Sequence, residues 1–510
     1  MFAKVNSVGL FGMNAFSVLV ETSIENGMPK FEVVGLPGTA VSESRERVRT
    51  AAKNSGFMFP ASRITVNLAP GDIRKEGPVY DLPILMSYLL ASRQASFDAS
   101  DKAFIGELSL DGRVRPVQGC LSMVIHAFEQ GFKEIYVPEG NAYECSVVKG
   151  ITAYSVPDVR SLVEHLAGKK SLTVIDSSFY SESGNALNDV LDFADVKGQF
   201  EAKRALEVAA AGGHNVLMVG PPGSGKSMLA KRIPSILPEM TFEESLETTK
   251  LYSVAGMLGL KTSLITARPF RAPHHSISSA GLAGGGQIPR PGEISLAHNG
   301  VLFLDELPEF SKQSLEGLRQ PLENGEITVS RSIMSLTYPC SIMLVAAMNP
   351  CSCGYYGHPT KRCTCPPGAP QKYLSKVSGP LLDRLDIHVE VPPIEFDKLS
   401  NDLPGESSEE IRKRVNAARL IQQKRFSGSA TACNAKMTPE ETRRYCKLND
   451  ETKELLKKGF NTMGLSARAY DKILRIARTV ADLDGSVDIR KEHIMEALQY
   501  RSLDKKYWTE

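Results

Sequence analysis

The string Gly220-Pro221-Pro222-Gly223-Ser224-Gly225-Lys226-Ser227 constrains this 510-residue chain more tightly than any other part of it. It satisfies G-x-x-x-x-G-K-[ST], in which glycines let successive backbone N–H groups curl around an anion while the next helix points its positive end at the same spot. The flanks fit. Asn215-Val-Leu-Met-Val219 leads in as an apolar strand, and Ser227-Met-Leu-Ala-Lys-Arg232 leads out as a helix. Lys226 is then placed to reach the β and γ phosphates of a nucleoside triphosphate, and the Ser227 hydroxyl to ligate Mg²⁺. Two more continuous apolar runs, Gly300-Val-Leu-Phe-Leu304 and Ile342-Met-Leu-Val-Ala-Ala347, read as further buried parallel strands of an α/β sheet. The first ends in Asp305-Glu306, a metal-holding carboxylate followed by one suited to polarising water. The second ends in Asn349, whose amide can orient that water and sense the γ phosphate; Asn before Pro350 is equally a good turn former.

The rest of the chain divides around this core. Residues 1–168 mix short alternating strands (Phe16 to Glu21, Lys30 to Val34, Arg63 to Leu68) with helical stretches and read as an α+β domain. Residues 169–188, rich in Ser and polar groups, read as a linker; 189–395 form the α/β core, and 396–510 are helical. Sixty Lys+Arg against 58 Asp+Glu leave a net charge of only +2, so a nucleic-acid site has to be local: a loop, a pore or one helix face. Nine cysteines are too few for a disulfide scaffold and odd in number, which argues for a reducing compartment. No apolar run approaches the roughly 18 residues of a membrane span, and the N-terminus lacks a cleavable signal's layout. The expectation is a cytoplasmic protein without a membrane partner.

Downstream, Gly379-Pro-Leu-Leu-Asp-Arg384-Leu-Asp386 presents a lone Arg after a helical turn. It is suited to meeting transition-state charge from a neighbouring subunit, or to a local ion pair with Asp383 or Asp386. Gly464-Leu-Ser-Ala-Arg468-Ala-Tyr470 opens a long helix; a cation in a first turn opposes the helix dipole and suggests an anionic partner. Together these strings resemble the AAA+ class and its magnesium-chelatase-like branch. With Phe270-Arg-Ala-Pro-His-His-Ser-Ile-Ser278, Gly284-Gly-Gly286 and Pro291-Gly-Glu-Ile-Ser-Leu-Ala-His298, the whole chain resembles the YifB/ComM family of competence helicases. The resemblance implies that Lys226, Asp305, Glu306, Asn349, Arg384 and Arg468 are Walker A lysine, Walker B metal ligand, general base, sensor 1, arginine finger and sensor 2, with Ser227 a Mg²⁺ ligand. It also implies ATP and Mg²⁺ as cofactors and a homo-oligomeric, hexameric ring. The same resemblance implies a ring that acts on branched, forked or single-stranded DNA during natural transformation or recombination.

The N-terminal zone resembles the Lon protease catalytic domain, through Phe104-Ile-Gly-Glu-Leu-Ser-Leu-Asp-Gly-Arg-Val-Arg-Pro-Val117 and Gly131-Phe-Lys-Glu-Ile-Tyr-Val-Pro138. Where Lon carries its nucleophilic Ser this chain has Gly77-Pro-Val79-Tyr-Asp81, and where Lon carries its Lys it has Gly119-Cys120-Leu121. With neither hydroxyl nor amine there is no nucleophile to activate. Ser109 and Ser122 do not sit at the matching positions. The expected fold is therefore multidomain: an inactive Lon-like α+β domain, a central AAA+ ATPase and a C-terminal helical lid.

Cys351-Ser-Cys353 and Cys363-Thr-Cys365, on a loop with Gly354, Gly357, Pro359 and Pro366, have the makings of a tetrahedral Zn²⁺ site, with His358 a spare ligand; a redox-inert polar loop is the competing reading. His274-His275, adjacent on an extended chain, should point to opposite sides, which favours a DNA contact over metal. Glu326 to Met334 alternates like a hairpin arm, and Arg331 on it is a candidate phosphate contact or simply a surface Arg. Ile411 to Phe426 is an amphipathic helix with six basic residues and no acid, a solvated face or one for DNA or a neighbouring subunit. Two other functions compete with the motor: a magnesium-chelatase-type motor subunit, which would lack the Lon-like addition, and a nucleotide-gated regulator of a protease-like assembly.

Overall fold

The computed structural model describes residues 1–176, 178–179, 191–259, 261–286, 289–331, 334–358, 360–393 and 405–508, which fall into two compact units. The first comprises Met1–Asn185 with Phe242–Thr266, the second Ala186–Thr241 with Ala267–Glu510.

In the first unit the alternating N-terminus builds β1 (Phe2–Phe11) and β2 (Asn14–Glu25), antiparallel partners joined at Gly12, where φ is +63°. β3 (Lys30–Val34), β4 (Arg63–Ala69) and β5 (Lys102–Phe104) follow, then a small separate ribbon of β6 (Glu107–Leu108) and β7 (Val114–Arg115). β8 (Glu134–Pro138), β9 (Thr152–Val156) and β10 (Thr173–Val174) complete a mixed eight-stranded sheet in the order β10-β9-β8-β5-β1-β2-β4-β3. β10 lies inside the stretch read as linker. Its Thr173 and Val174 pair with Ser155 and Tyr154 while Ile175 is buried, because a short alternating apolar set survives within the polar composition. Residues 177 and 180–190 of that stretch lie outside the described residues. Val79 is buried, and Cys120 opens the helix Cys120–Glu129 with its sulfur buried 3.5 Å from that of Cys145. The Ser109 hydroxyl donates to Asp111 and to the Arg113 carbonyl, and Ser122 is buried.

The second unit is built on β11 (Val216–Val219), β12 (Phe270–Arg271), β15 (Val301–Leu304), β18 (Met343–Met348) and β19 (Ile387–Glu390). They form an all-parallel sheet in the order β12-β15-β18-β11-β19. Val216–Val219, Val301–Leu304 and Met343–Met348 are buried throughout, as continuous apolar runs require when both faces of a sheet are covered. Two antiparallel ribbons, β13 (Gly284–Gly285) with β14 (Arg290–Pro291) and β16 (Glu326–Ser330) with β17 (Ser335–Pro339), interrupt the chain around β15. In the longer ribbon Ile327, Val329, Leu336 and Tyr338 are buried while the intervening residues face out.

Beyond residue 405 the chain is helical, chiefly Ser408–Arg425, Asp450–Met463, Ala467–Leu483 and Lys491–Gln499. The division expected at residue 396 falls outside the described residues. Ile411, Val415, Ile473, Ile476 and Val480 from this region share one hydrophobic core with Val216, Val345 and Ile387 of the sheet. Three of the six basic residues of Ser408–Arg425 are ion-paired: Arg414 with Glu207 and Glu406, Lys413 with Glu410, and Arg425 with Asp482. Among the described residues, no helix is long and apolar enough to cross a membrane.

The segment Phe242–Thr266, which a linear division keeps with the ATPase core, packs instead on the first unit. The Gly119 N–H donates to the Ser253 carbonyl, and the Ser253 hydroxyl donates to Glu144. Glu144 is buried and also accepts from Asn141 Nδ2 at 2.5 Å and the Leu121 N–H at 3.3 Å. Burial raises its pKa, while those donors favour the carboxylate. Glu144→Ala would orphan three donors and should cost about 2–3 kcal/mol. Hydrogen exchange should then quicken in Phe242–Ala255 as well as in Cys120–Glu129; unchanged protection in the former would mean Glu144 does not anchor it.

Candidate nucleotide site

The parallel strands end together, and their ends carry the polar groups. After β11, Gly220 to Gly225 wrap the start of the helix Lys226–Arg232, with Gly223 and Gly225 at φ +77° and +93°, which side chains other than glycine rarely adopt. Lys226 Nζ donates to the carbonyls of Gly220 (2.7 Å) and Pro221 (2.9 Å) and to Asn349 Oδ1 (3.2 Å). These are positions that phosphate oxygens would take over. The Ser227 hydroxyl donates to Asp305 Oδ2 at 2.6 Å, so the two prospective Mg²⁺ ligands already touch. One atom of each, with a triphosphate and water, makes the oxygen-rich set that Mg²⁺ prefers.

Glu306 follows Asp305 with φ +52°, a left-handed conformation that costs a non-glycine residue about 1–2 kcal/mol. Its carboxylate lies 3.2 Å from His275 Nδ1. The two adjacent histidines do not diverge as an extended chain would require. A turn closed by the Ile277 N–H on the His274 carbonyl brings their rings to 4.0 Å, with His274 Nδ1 held by Ser276. Arg331 tops the longer ribbon, its Nε donating to the Gly286 carbonyl at 3.3 Å; its neighbours 332 and 333 lie outside the described residues.

Arg384 and Arg468 sit elsewhere, in a cleft of about 210 Å³ that none of residues 220–227 lines. Arg384 pairs with Glu323, not with the adjacent Asp383 or with Asp386. Asp383 lies 3.7 Å from Arg468, and Asp386 is taken by buried Lys472 (2.7 Å) and His214 (3.4 Å). Burial alone would raise the Asp386 pKa, yet Lys472 and His214 hold it well below the usual carboxylate range. Burial, and then the nearby Arg319 and Arg468 cations, push Arg384 below its ordinary value. Ser466 caps the helix carrying Arg468. Glu323, His214 and Lys472 had no sequence signal; they are brought in by tertiary contact.

The four loop cysteines also converge: all four sulfurs lie within 4.8 Å of one another, a group able to hold a metal ion. His358 is not among them, since its Nδ1 accepts from the Thr360 and Lys361 N–H groups; Pro359 lies outside the described residues.

Comparison with known families fits this geometry. Residues 192–399 match the family described as magnesium chelatase, subunit ChlI, and residues 405–501 its C-terminal region. Residues 20–141 match a further model described as subunit ChlI of Mg-chelatase. The uncharacterized protein YifB of Escherichia coli is 43% identical over 505 residues, covering 98% of this chain and 97% of its own length. The competence protein ComM of Haemophilus influenzae is 44% identical over 509 residues, with the same two coverages. The chain belongs to the YifB/ComM family. Its likeness to true chelatase components is shorter: the magnesium-chelatase 67 kDa subunit of Chlorobaculum parvum is 29% identical over 167 residues, 32% of this chain. This chain thus combines a magnesium-chelatase-type ATPase domain with a helical C-terminal region.

Burial lowers Lys226 to about 8, although Asp305 and Glu306 pull the other way. A phosphate group in contact would return it toward the ordinary lysine value. The sign follows by linkage: below pH 8 the lysine is charged with or without anion, whereas above pH 8 binding must take up a proton. Nucleotide affinity should therefore be flat from pH 6.5 to 7.5 and fall by up to about tenfold per unit above 8. Calorimetry at pH 8.5 in buffers of different ionisation enthalpy should register proton uptake, and Lys226→Arg should abolish it.

Proposed function

We propose that this YifB/ComM-family chain is an ATP-hydrolysing AAA+ ring motor that acts on branched, forked or single-stranded DNA. It would serve as a helicase or branch-migration factor in transformation or recombination. Lys226 and the N–H groups of Gly220 to Ser227 bind the phosphates; Ser227 and Asp305 hold Mg²⁺, which supplies charge neutralisation at the transferring phosphoryl group. Glu306 is the general base that takes the proton of the attacking water, and Asn349 positions that water. His274, His275 and Arg331 are the candidate DNA contacts, and Zn²⁺ is assigned to Cys351, Cys353, Cys363 and Cys365.

The observation that carries the ring is the separation of charges. Lys226 meets Asn349 and Ser227 meets Asp305 at the sheet edge, while Arg384 and Arg468 line a different cleft with Arg475 and the carboxylates of Glu323, Asp383 and Asp471. Arg384 is part-buried and Arg468 exposed, and each now meets a carboxylate, Glu323 and Asp383, whose place a phosphate would take. In a ring, that phosphate is the neighbour's γ phosphate, so each ATP would lie between one subunit's loop and the next subunit's Arg384 and Arg468. DNA as substrate is supported by the near full-length likeness to a competence protein. The first unit is read as a Lon-like fold without protease chemistry, because Gly77-Pro-Val79 lacks the nucleophilic Ser and the Gly119-Cys120-Leu121 segment lacks the Lys of that chemistry. A magnesium-chelatase-type motor is the second reading, favoured by the descriptions of the matching families. Stimulation of hydrolysis by forked DNA, as against chelatase partners with protoporphyrin, separates the two.

Lys226→Ala should abolish nucleotide binding, and Glu306→Gln should keep binding but block turnover; equal turnover in Glu306→Gln and wild type refutes the base. Arg384→Ala should bind nucleotide nearly normally and lose turnover by a factor of the order of 10³. Mixing it with Lys226→Ala should restore part of the activity, because some interfaces then hold both an intact loop and an intact arginine. A mixture of folded, assembled variants that stays dead would rule out action between subunits.

A further inference from the structure

The loop that follows Asn349 carries more than a metal-sized group of thiols. The Cys351 sulfur lies 3.3 Å from that of Cys353 and 3.8 Å from that of Cys363, and Cys353 and Cys363 are 3.5 Å apart. Zn–S bonds of about 2.3 Å in a tetrahedron put sulfurs about 3.8 Å apart. The gaps are far longer than the roughly 2.05 Å of a disulfide. They are also too short for a polynuclear iron–sulfur cluster, in which bridging sulfide spreads the cysteines. The N–H groups of Tyr355 and Thr364 are directed at the Cys353 sulfur and that of Tyr356 at Cys351. Outer donors of this kind steady metal-bound thiolates.

The same loop is seated on the phosphate loop. Gly354, at φ +83°, lies so close to Pro222 that a Cβ there would come within 2.4 Å of its Cδ. Gly354 and Tyr356 also line one crevice with Gly220 and Pro221. Pro222 has no N–H and a fixed φ, so the phosphate loop is stiff at the point where the cysteine loop backs it.

We propose that Cys351, Cys353, Cys363 and Cys365 bind one Zn²⁺ as a tetrathiolate and that the ion braces the phosphate loop through Gly354 and Pro222, making nucleotide affinity dependent on the metal. The second half rests on reading Gly220 to Ser227 as the nucleotide site. The thiols lose their protons to solvent as the ion binds, with no change of oxidation state, so a thiol oxidant would eject the ion and loosen the loop.

The test uses the full chain. Metal analysis of protein purified without chelator should give one zinc per chain, and Cys363→Ser with Cys365→Ser should lose it. Co²⁺ exchanged into the site should show the visible bands of a tetrahedral tetrathiolate. No metal, or a metal other than zinc, overturns the site. Nucleotide affinity, measured with folding followed by circular dichroism, should fall within the about 5- to 150-fold range of coupled sites when zinc is removed, and recover on readdition. Should the cysteine variant fail to fold, Gly354→Ala carries the test: it leaves all four thiols, and should keep zinc yet bind nucleotide more weakly. Zinc retained with unchanged affinity in Gly354→Ala, or zinc removed with unchanged affinity, overturns the brace. Failure of wild-type zinc-loaded protein to bind nucleotide better than Lys226→Ala would instead refute the nucleotide reading itself.

Discussion

A parallel strand buried on both faces can carry no charge along its length, so its chemistry waits until the strand ends. Everything in the second unit follows from that. Three neighbouring strands, β11, β15 and β18, turn polar at the same edge, where the registers Val219↔Met348 and Leu304↔Ala346 end β11 and β18 together and β15 two residues earlier. The Lys226–Asn349 and Ser227–Asp305 contacts form at that shared edge. They join residues far apart in sequence through strands of four to six residues.

The helical region is tied to the sheet by a shared core and by a buried polar junction. His214, just before β11, bonds Thr479 at 2.8 Å, and Asp386, just before β19, holds Lys472. Thr479 and Lys472 both lie on Ala467–Leu483, the helix whose first turn presents Arg468, while Arg384 stands two residues before Asp386. One junction thus fixes both arginines. Removing either partner of such a buried pair leaves an uncompensated charge, so this junction is costly to perturb.

In the first unit Val79 is packed as a buried apolar residue, and Cys120 opens a helix with its side chain buried. The same unit gains a helix from the other half of the chain. Ser245, Thr248, Thr249, Leu251 and Ser253 are buried on that helix, a mostly polar set that no apolar periodicity announces.

Residue order alone carried the phosphate loop, the strand ends at Asp305, Glu306 and Asn349, the strands of the N-terminal zone and the helical character of the C-terminal part. These are local properties: a glycine spacing, a continuous apolar run, a period of two or of 3.6 residues. It also carried the grouping of four cysteines, because all lie on one short loop. What it left open were the pairings over distance. Arg384 chose Glu323 over the nearer Asp383 and Asp386, His275 met Glu306, the 242–266 segment joined the first unit, and Gly354 came to rest on Pro222. The physical reason is common to all four. A charge or a glycine is compatible with many partners along the chain, and only the packing of complete elements decides which partner is within reach.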